Sequence, residues 1–147
     1  MPTESVNIIY LARPPCLKPR EIARFRGLMS ALIEFKKNKI FSLIEAQDLL
    51  PLIRRITGTA VEQVSLLENQ AHQLPTDSTE RTQLEGELNS IIRRWSDKVS
   101  KLGAIPKGFW LVDFDNGEGY FCWKYGEDDV NFFHEYSTGF GGRTRIN

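Results

Sequence analysis

Ten residues between positions 43 and 74 recur at spacings of three and four without a break: Leu43, Ala46, Leu50, Ile53, Thr57, Ala60, Val64, Leu67, Ala71 and Leu74. On an α-helix that spacing places one side chain per turn along a single stripe, so the segment needs a long partner surface, as in a coiled-coil seam. Thr57 is the only polar member. Ser42 and Glu45 stand as a capping box at the start, the hydroxyl accepting a first-turn amide and the carboxylate reaching back to the cap amide. Pro51 removes one hydrogen bond inside the run and predicts a kink, with Gly58 as a second soft point. Pro75 ends the run, and Asp77 with Glu80 offers a second capping box. Leu84, Leu88, Ile91, Trp95, Val99 and Leu102 then form a return stripe closed by Gly103. The pattern predicts two antiparallel helices, over about 43–74 and 78–102.

After Pro106 the period becomes alternating and aromatics crowd in. Phe109 to Phe114, Gly119 to Tyr125 and Val130 to Tyr136 read as three strands of a meander. Asn116-Gly117 signals a type I′ turn, which pairs Asp115 with Glu118, Trp110 with Trp123 and Val112 with Phe121. A four-residue loop over Gly126 to Asp129 then sets Phe132 and His134 among those aromatics, on the face turned to the helices. Asp113, Tyr120, Cys122, Lys124 and Glu135 share the other face. A loop one residue longer flips the third strand and brings His134 beside Cys122. The expected fold is therefore α+β: a long antiparallel helical hairpin with a coiled-coil-like seam, packed on a small three-stranded antiparallel meander.

Residues 1–39 stand apart as a basic, Pro-containing extension with eight Lys or Arg against three Glu. They read as partly disordered, or as a marginal helix with Ile22, Phe25, Met29, Leu32 and Ile33 on one side, and Met29 is a candidate alternative start. Residues 40–147 read as the single hairpin-plus-meander domain. Over the whole chain Lys plus Arg equals Asp plus Glu at 19 each, which argues against nucleic acid or an anionic membrane as partner. No apolar run approaches the roughly 20 residues of a membrane span, and the N-terminus lacks the layout of a secretory signal. A cytoplasmic protein is expected. Cys16 and Cys122 are too few for a disulfide framework or a thiolate zinc quartet.

The candidate binding residues are His134, Glu135, Arg143, Cys122 and Asp113. His134 and Glu135 are neighbours on a strand and point to opposite faces, so they cannot chelate one metal. Asp113 and Glu135 flank Tyr120 at roughly 10 Å, a separation open to an acid and base pair or simply to two solvated carboxylates. Cys122 reads as a buried thiol, becoming a nucleophile candidate only in the flipped register. Gly139, Gly141, Gly142 and Arg143 form a tail able to fold amides and a guanidinium around a small anion, with Phe140 as anchor and His134 or Ser137 at the rim. Alternatively, Arg143 staples the tail to Asp113, Glu127 or Glu135. No phosphate loop, dinucleotide fingerprint, zinc-helix motif or serine elbow occurs, and no metal or cofactor is assigned.

The segments FSLIEAQDLLPLIRR (41–55), GFWLVDF (108–114), CWKYGE (122–127) and FHEYSTGFGGR (133–143) resemble, in order and spacing, the signature segments of the bacterial domain-of-unknown-function family 2203. The likeness covers about residues 40 to 145. It departs at Ser137, where the family usually carries Asp, and at Thr144-Arg145, where Gln-Pro is usual. The resemblance implies the fold and assigns no activity. The functional expectation is a non-catalytic interaction module that forms a homodimer through its hairpin, because a helix of 32 residues spans roughly 48 Å and a seven-residue strand only about 23 Å, leaving Val64, Leu67, Ala71 and Leu84 to be covered. The alternative is a small enzyme or an anion- or metal-binding protein using His134, Glu135, Cys122 and Arg143.

Overall fold

The computed structural model describes residues 39–146, so the expectations for the N-terminal extension, Cys16 included, lie outside the described residues. Helix α1 runs Leu43–His72 and helix α2 Thr79–Lys101. Five strands follow: β1 Ile105–Lys107, β2 Leu111–Asp115, β3 Gly119–Lys124, β4 Phe132–Glu135 and β5 Thr144–Arg145.

The capping box at α1 forms as expected. Ser42 Oγ accepts the Glu45 amide at 3.2 Å, and Glu45 Oε2 accepts the Ser42 amide at 2.8 Å. The Ser42 amide and hydroxyl hold the Glu45 carboxyl below its ordinary value, so its contribution to stability is complete above the unfolded-state value and fades as pH falls through the lowered one. Ser42→Ala is expected to cost about 1 kcal/mol, read from a urea melt at neutral pH. At α2 the cap is Ser78 rather than Asp77. The Pro75–Ser78 turn closes through a 3.1 Å backbone bond and presents the Ser78 hydroxyl to the Arg81 amide at 3.2 Å, leaving no carboxylate at the position that a box requires.

The stripe on α1 is buried at Ala46, Leu50, Ile53, Thr57, Ala60, Val64 and Ala71, and α2 answers with Leu88, Ile91, Ile92, Trp95 and Val99. Thr57, the polar member, is fully buried and accepts the Trp95 indole N–H at 2.9 Å, which satisfies the indole donor inside the seam. α1 runs on through Pro51.

The sheet is antiparallel with strands in sequence order, and it has five strands rather than three. β1 and β5 are three and two residues long, too short to carry a period, and β1 contains Pro106. The expected first strand also begins late. Gly108–Trp110 is a single 3-10 turn, and Trp110 has φ +62°, a left-handed conformation costly for a bulky residue. Its ring is held edge-on to Trp95 at 4.9 Å and its carbonyl accepts the Tyr125 amide, so Trp110 does not stand opposite Trp123.

Two register expectations change, with different consequences. At the β2–β3 turn only Gly117 takes positive φ, and Asn116 instead caps the turn by accepting the Glu118 and Gly119 amides. The turn is therefore not type I′. Val112 pairs with Trp123 and Phe114 with Phe121, a slip of two residues that preserves every face. Between β3 and β4 the slip is one residue: Tyr120 pairs with His134 and Cys122 with Phe132. That flips the strand, so Phe132 and His134 leave the helix-facing side. Tertiary contacts explain the longer connection. Val130 exchanges two 3.1 Å backbone bonds with the Gln47 carboxamide of α1, and Arg54 donates to the carbonyls of Glu127 and Asp128, so the connection is held by the helix instead of closing tightly on Tyr125.

Val112, Phe114 and Trp123, each 0% exposed, form the face turned to the helices, and Phe41 seals one edge by an edge-on contact with Phe114. Asp113, Tyr120, Cys122 and His134 lie on the opposite face. No helix among the described residues is long and apolar enough to cross a membrane.

Candidate functional site

Alternation along β2 and β3 sets Asp113 directly across from Cys122, and the one-residue slip of β4 sets His134 diagonal to both. All three are buried, at 3%, 1% and 5% exposed, and their ligand atoms lie within 4.8 Å of one another. His134 Nε2 is 3.2 Å from Asp113 Oδ2, and His134 Nδ1 is 3.0 Å from the Glu135 carbonyl oxygen. A carbonyl only accepts, so Nδ1 carries a proton and donates to it. Burial, then the neighbouring Asp113, pushes the Cys122 thiol up to about 12, with the Arg143 guanidinium acting in the opposite direction.

These three groups line an open cleft of about 380 Å³. One wall is aromatic: Tyr120 packs against His134 at 5.4 Å and edge-on against Tyr136 at 5.0 Å, and the Tyr136 hydroxyl donates to Asp115 Oδ1 at 2.6 Å. That bond to Asp115 raises the Tyr136 phenol to about 12, while burial and the carboxylates of Asp115 and Asp113 raise Tyr120. Lys107 lines the cleft too, its ammonium 5.9 Å from the Tyr120 ring centre. The segment Ser137 to Phe140 forms the rim.

The structure divides the sequence candidates. Asp113, Cys122 and His134 come together, as the longer-loop alternative required. Glu135 does not join them: it pairs with Gly119, its side chain is exposed, and only its carbonyl reaches the site. The Asp113 and Glu135 acid and base pair across Tyr120 therefore does not form. Arg143 also stays out of the cleft lining. Its Nη2 bonds Glu127 Oε1 at 2.6 Å, and its guanidinium lies between the rings of Phe132 and Phe140 at 4.0 and 4.1 Å. This is the geometry of the staple. The Gly-rich tail spends amides on itself, Gly142 to the Gly139 carbonyl and Arg143 to the Phe140 carbonyl, before β5 pairs with β4. Lys107 and Tyr136 were missed as cleft residues, since no local pattern marks a residue that meets the site only across strands.

Among the described residues, two packed helices and a five-stranded antiparallel sheet, with a buried Asp–Cys–His cluster on the face turned away from the helices, define an α+β domain with a polar cleft on that face. The chain belongs to the family of uncharacterized conserved proteins DUF2203, whose model matches residues 39–146. No curated protein and no solved structure matches it.

Proposed function

We propose that this chain is a small-ligand-binding domain in which the helical hairpin is scaffold and the free face of the sheet is the working surface. One observation carries the reading: Asp113 and His134 are nearly fully buried, yet they line a cleft open to solvent. Burying an ionisable pair is a poor route to stability, because desolvation offsets the attraction, and such pairs cluster where chemistry or binding is done. The groove between the helices offers less. It carries Arg55, Arg94 and Lys98 beside Trp95, and its cations are exposed. A thermal-shift panel of divalent cations, small carboxylates, phosphate and uncharged polar compounds tests the reading. At least one class raises the melting temperature of the parent, and the rise disappears in Asp113→Val/His134→Leu. A panel that leaves the parent unmoved, or moves both proteins equally, overturns it.

Self-association is the second reading, and Val64 and Ala71 do not call for it. Val64 and Ala71 are already buried in a single copy, at 3% and 8% exposed. What favours it is that Leu67 and Leu84 stay only half-buried, with Leu66, next to Leu67 in the chain, 65% exposed. Light scattering at tens of micromolar decides: a dimer mass that falls to a monomer mass in Leu66→Glu supports it, and a monomer mass in the parent removes it.

A further inference from the structure

We infer that Asp113, Cys122 and His134 form a three-ligand site for a divalent cation of borderline softness, zinc or ferrous iron, with a remaining coordination position opening into the cleft. The inference rests on the cleft being the working surface and names the ligand class it takes.

The first support is placement. Three donors of different type, one carboxylate, one thiol and one imidazole, come from three adjacent strands, and their ligand atoms fall within 4.8 Å of one another. A tetrahedral ion with bonds of about 2.0–2.3 Å holds its donors roughly 3.3–3.8 Å apart. Small side-chain rotations on a fixed sheet close the difference. Sulfur with nitrogen and one oxygen suits zinc or ferrous iron better than magnesium or calcium, which take oxygen shells.

The second support is independent, and it is the histidine tautomer. Nδ1 must donate to the Glu135 carbonyl, which turns the Nε2 lone pair of a neutral ring toward Asp113 Oδ2, 3.2 Å away. Two acceptors in a buried place then face each other. A proton between them removes the conflict, and so does a cation bound to both. The Nδ1–H to carbonyl bond is the contact by which ligand histidines are oriented, with Nε2 aimed at the metal. A proton alone leaves the third member unexplained, because Cys122 is not needed to hold it.

Charge is consistent with a divalent ion. Binding sends the Cys122 proton to solvent, and the thiolate and the Asp113 carboxylate then neutralise the two positive charges. Of the cations nearby, Arg143 is neutralised by Glu127, and Lys107 stands across the cleft over the Tyr120 ring. With three protein ligands an ion keeps a position for water or substrate, the arrangement of catalytic rather than structural sites. Tyr120, Tyr136 and Lys107 surround that opening.

The test is a cobalt(II) titration of the full chain after chelator treatment and dialysis, followed by absorption. The expected result is one equivalent bound, with the visible bands of tetrahedral cobalt and a near-ultraviolet thiolate charge-transfer band. Zinc in equal amount displaces both. Cys122→Ser loses the charge-transfer band and binds at least tenfold more weakly, while Cys16→Ser keeps it, and the far-ultraviolet circular dichroism of each variant confirms that it is folded. Absence of a thiolate band in the parent, or a band unchanged in Cys122→Ser, overturns the assignment. If carboxylates or phosphate raise the melting temperature of a protein that shows no cobalt band, the metal fails and the cleft reading stands. If no compound in the panel shifts it, both fail.

Discussion

Replacing Trp123 with alanine lowers the unfolding free energy by about 3–5 kcal/mol, as large-to-small changes at fully enclosed aromatic positions do. Trp123 is 0% exposed in the middle of β3, and its indole N–H donates to the Glu127 carbonyl at 3.0 Å. Glu127 in turn accepts the Lys124 amide and the Arg143 guanidinium on its side chain. The substitution thus opens a void between sheet and helices and loosens the connection that sets the register of β4. A domain of this size has roughly 5–15 kcal/mol to lose. Glu87→Ala, at an exposed position of α2, should stay within about 0.5 kcal/mol. Urea melts of the two variants check the contrast. A Trp123→Ala protein within about 1 kcal/mol of the parent would mean that the sheet turns its other face to the helices.

The hairpin was readable in the sequence because ten stripe positions and the Ser42–Glu45 box agree, and helix patterns are local. The α2 cap was misplaced by one residue because Asp77 and Glu80 have box spacing too, and the choice of Ser78 was made by the Pro75–Ser78 turn. β1 and β5 are formed by pairing with a neighbour, not by any period of their own. Trp110 carries no preference for the left-handed region, so its 3-10 turn followed from packing on Trp95.

The site was half readable for a related reason. Asp113 and Cys122 shared a face under either β2–β3 register, since the slip was even. His134 depended on a count of one residue in the β3–β4 connection, and that count was decided by Gln47, 83 positions away, holding Val130. Arg143 posed a choice between an anion and an internal acid. Glu127 decided it, an acid that sequence reasoning could name only among three.

The largest coupled effect is expected at Asp113 and His134. His134→Leu leaves the Asp113 carboxylate buried at 3% exposure without its partner and should cost about 3–5 kcal/mol. Asp113→Val leaves the imidazole with only the Glu135 carbonyl and should cost about 1–3 kcal/mol. The double variant removes both partners and fills the place with apolar residues of similar bulk, so it should recover to within about 1 kcal/mol of the parent. Chelator in all samples keeps adventitious metal from stabilising the parent.

That coupling free energy is the most direct measurement of whether the polar floor of the cleft serves binding or the fold. Urea unfolding of the parent, the two single variants and Asp113→Val/His134→Leu supplies it as a double-mutant cycle. If the polar floor serves binding, the double variant is as stable as the parent, or more stable, and unresponsive to every ligand that raises the parent's melting temperature. A double variant that loses the sum of the two single losses would contradict that reading, making Asp113 and His134 structural members of the sheet.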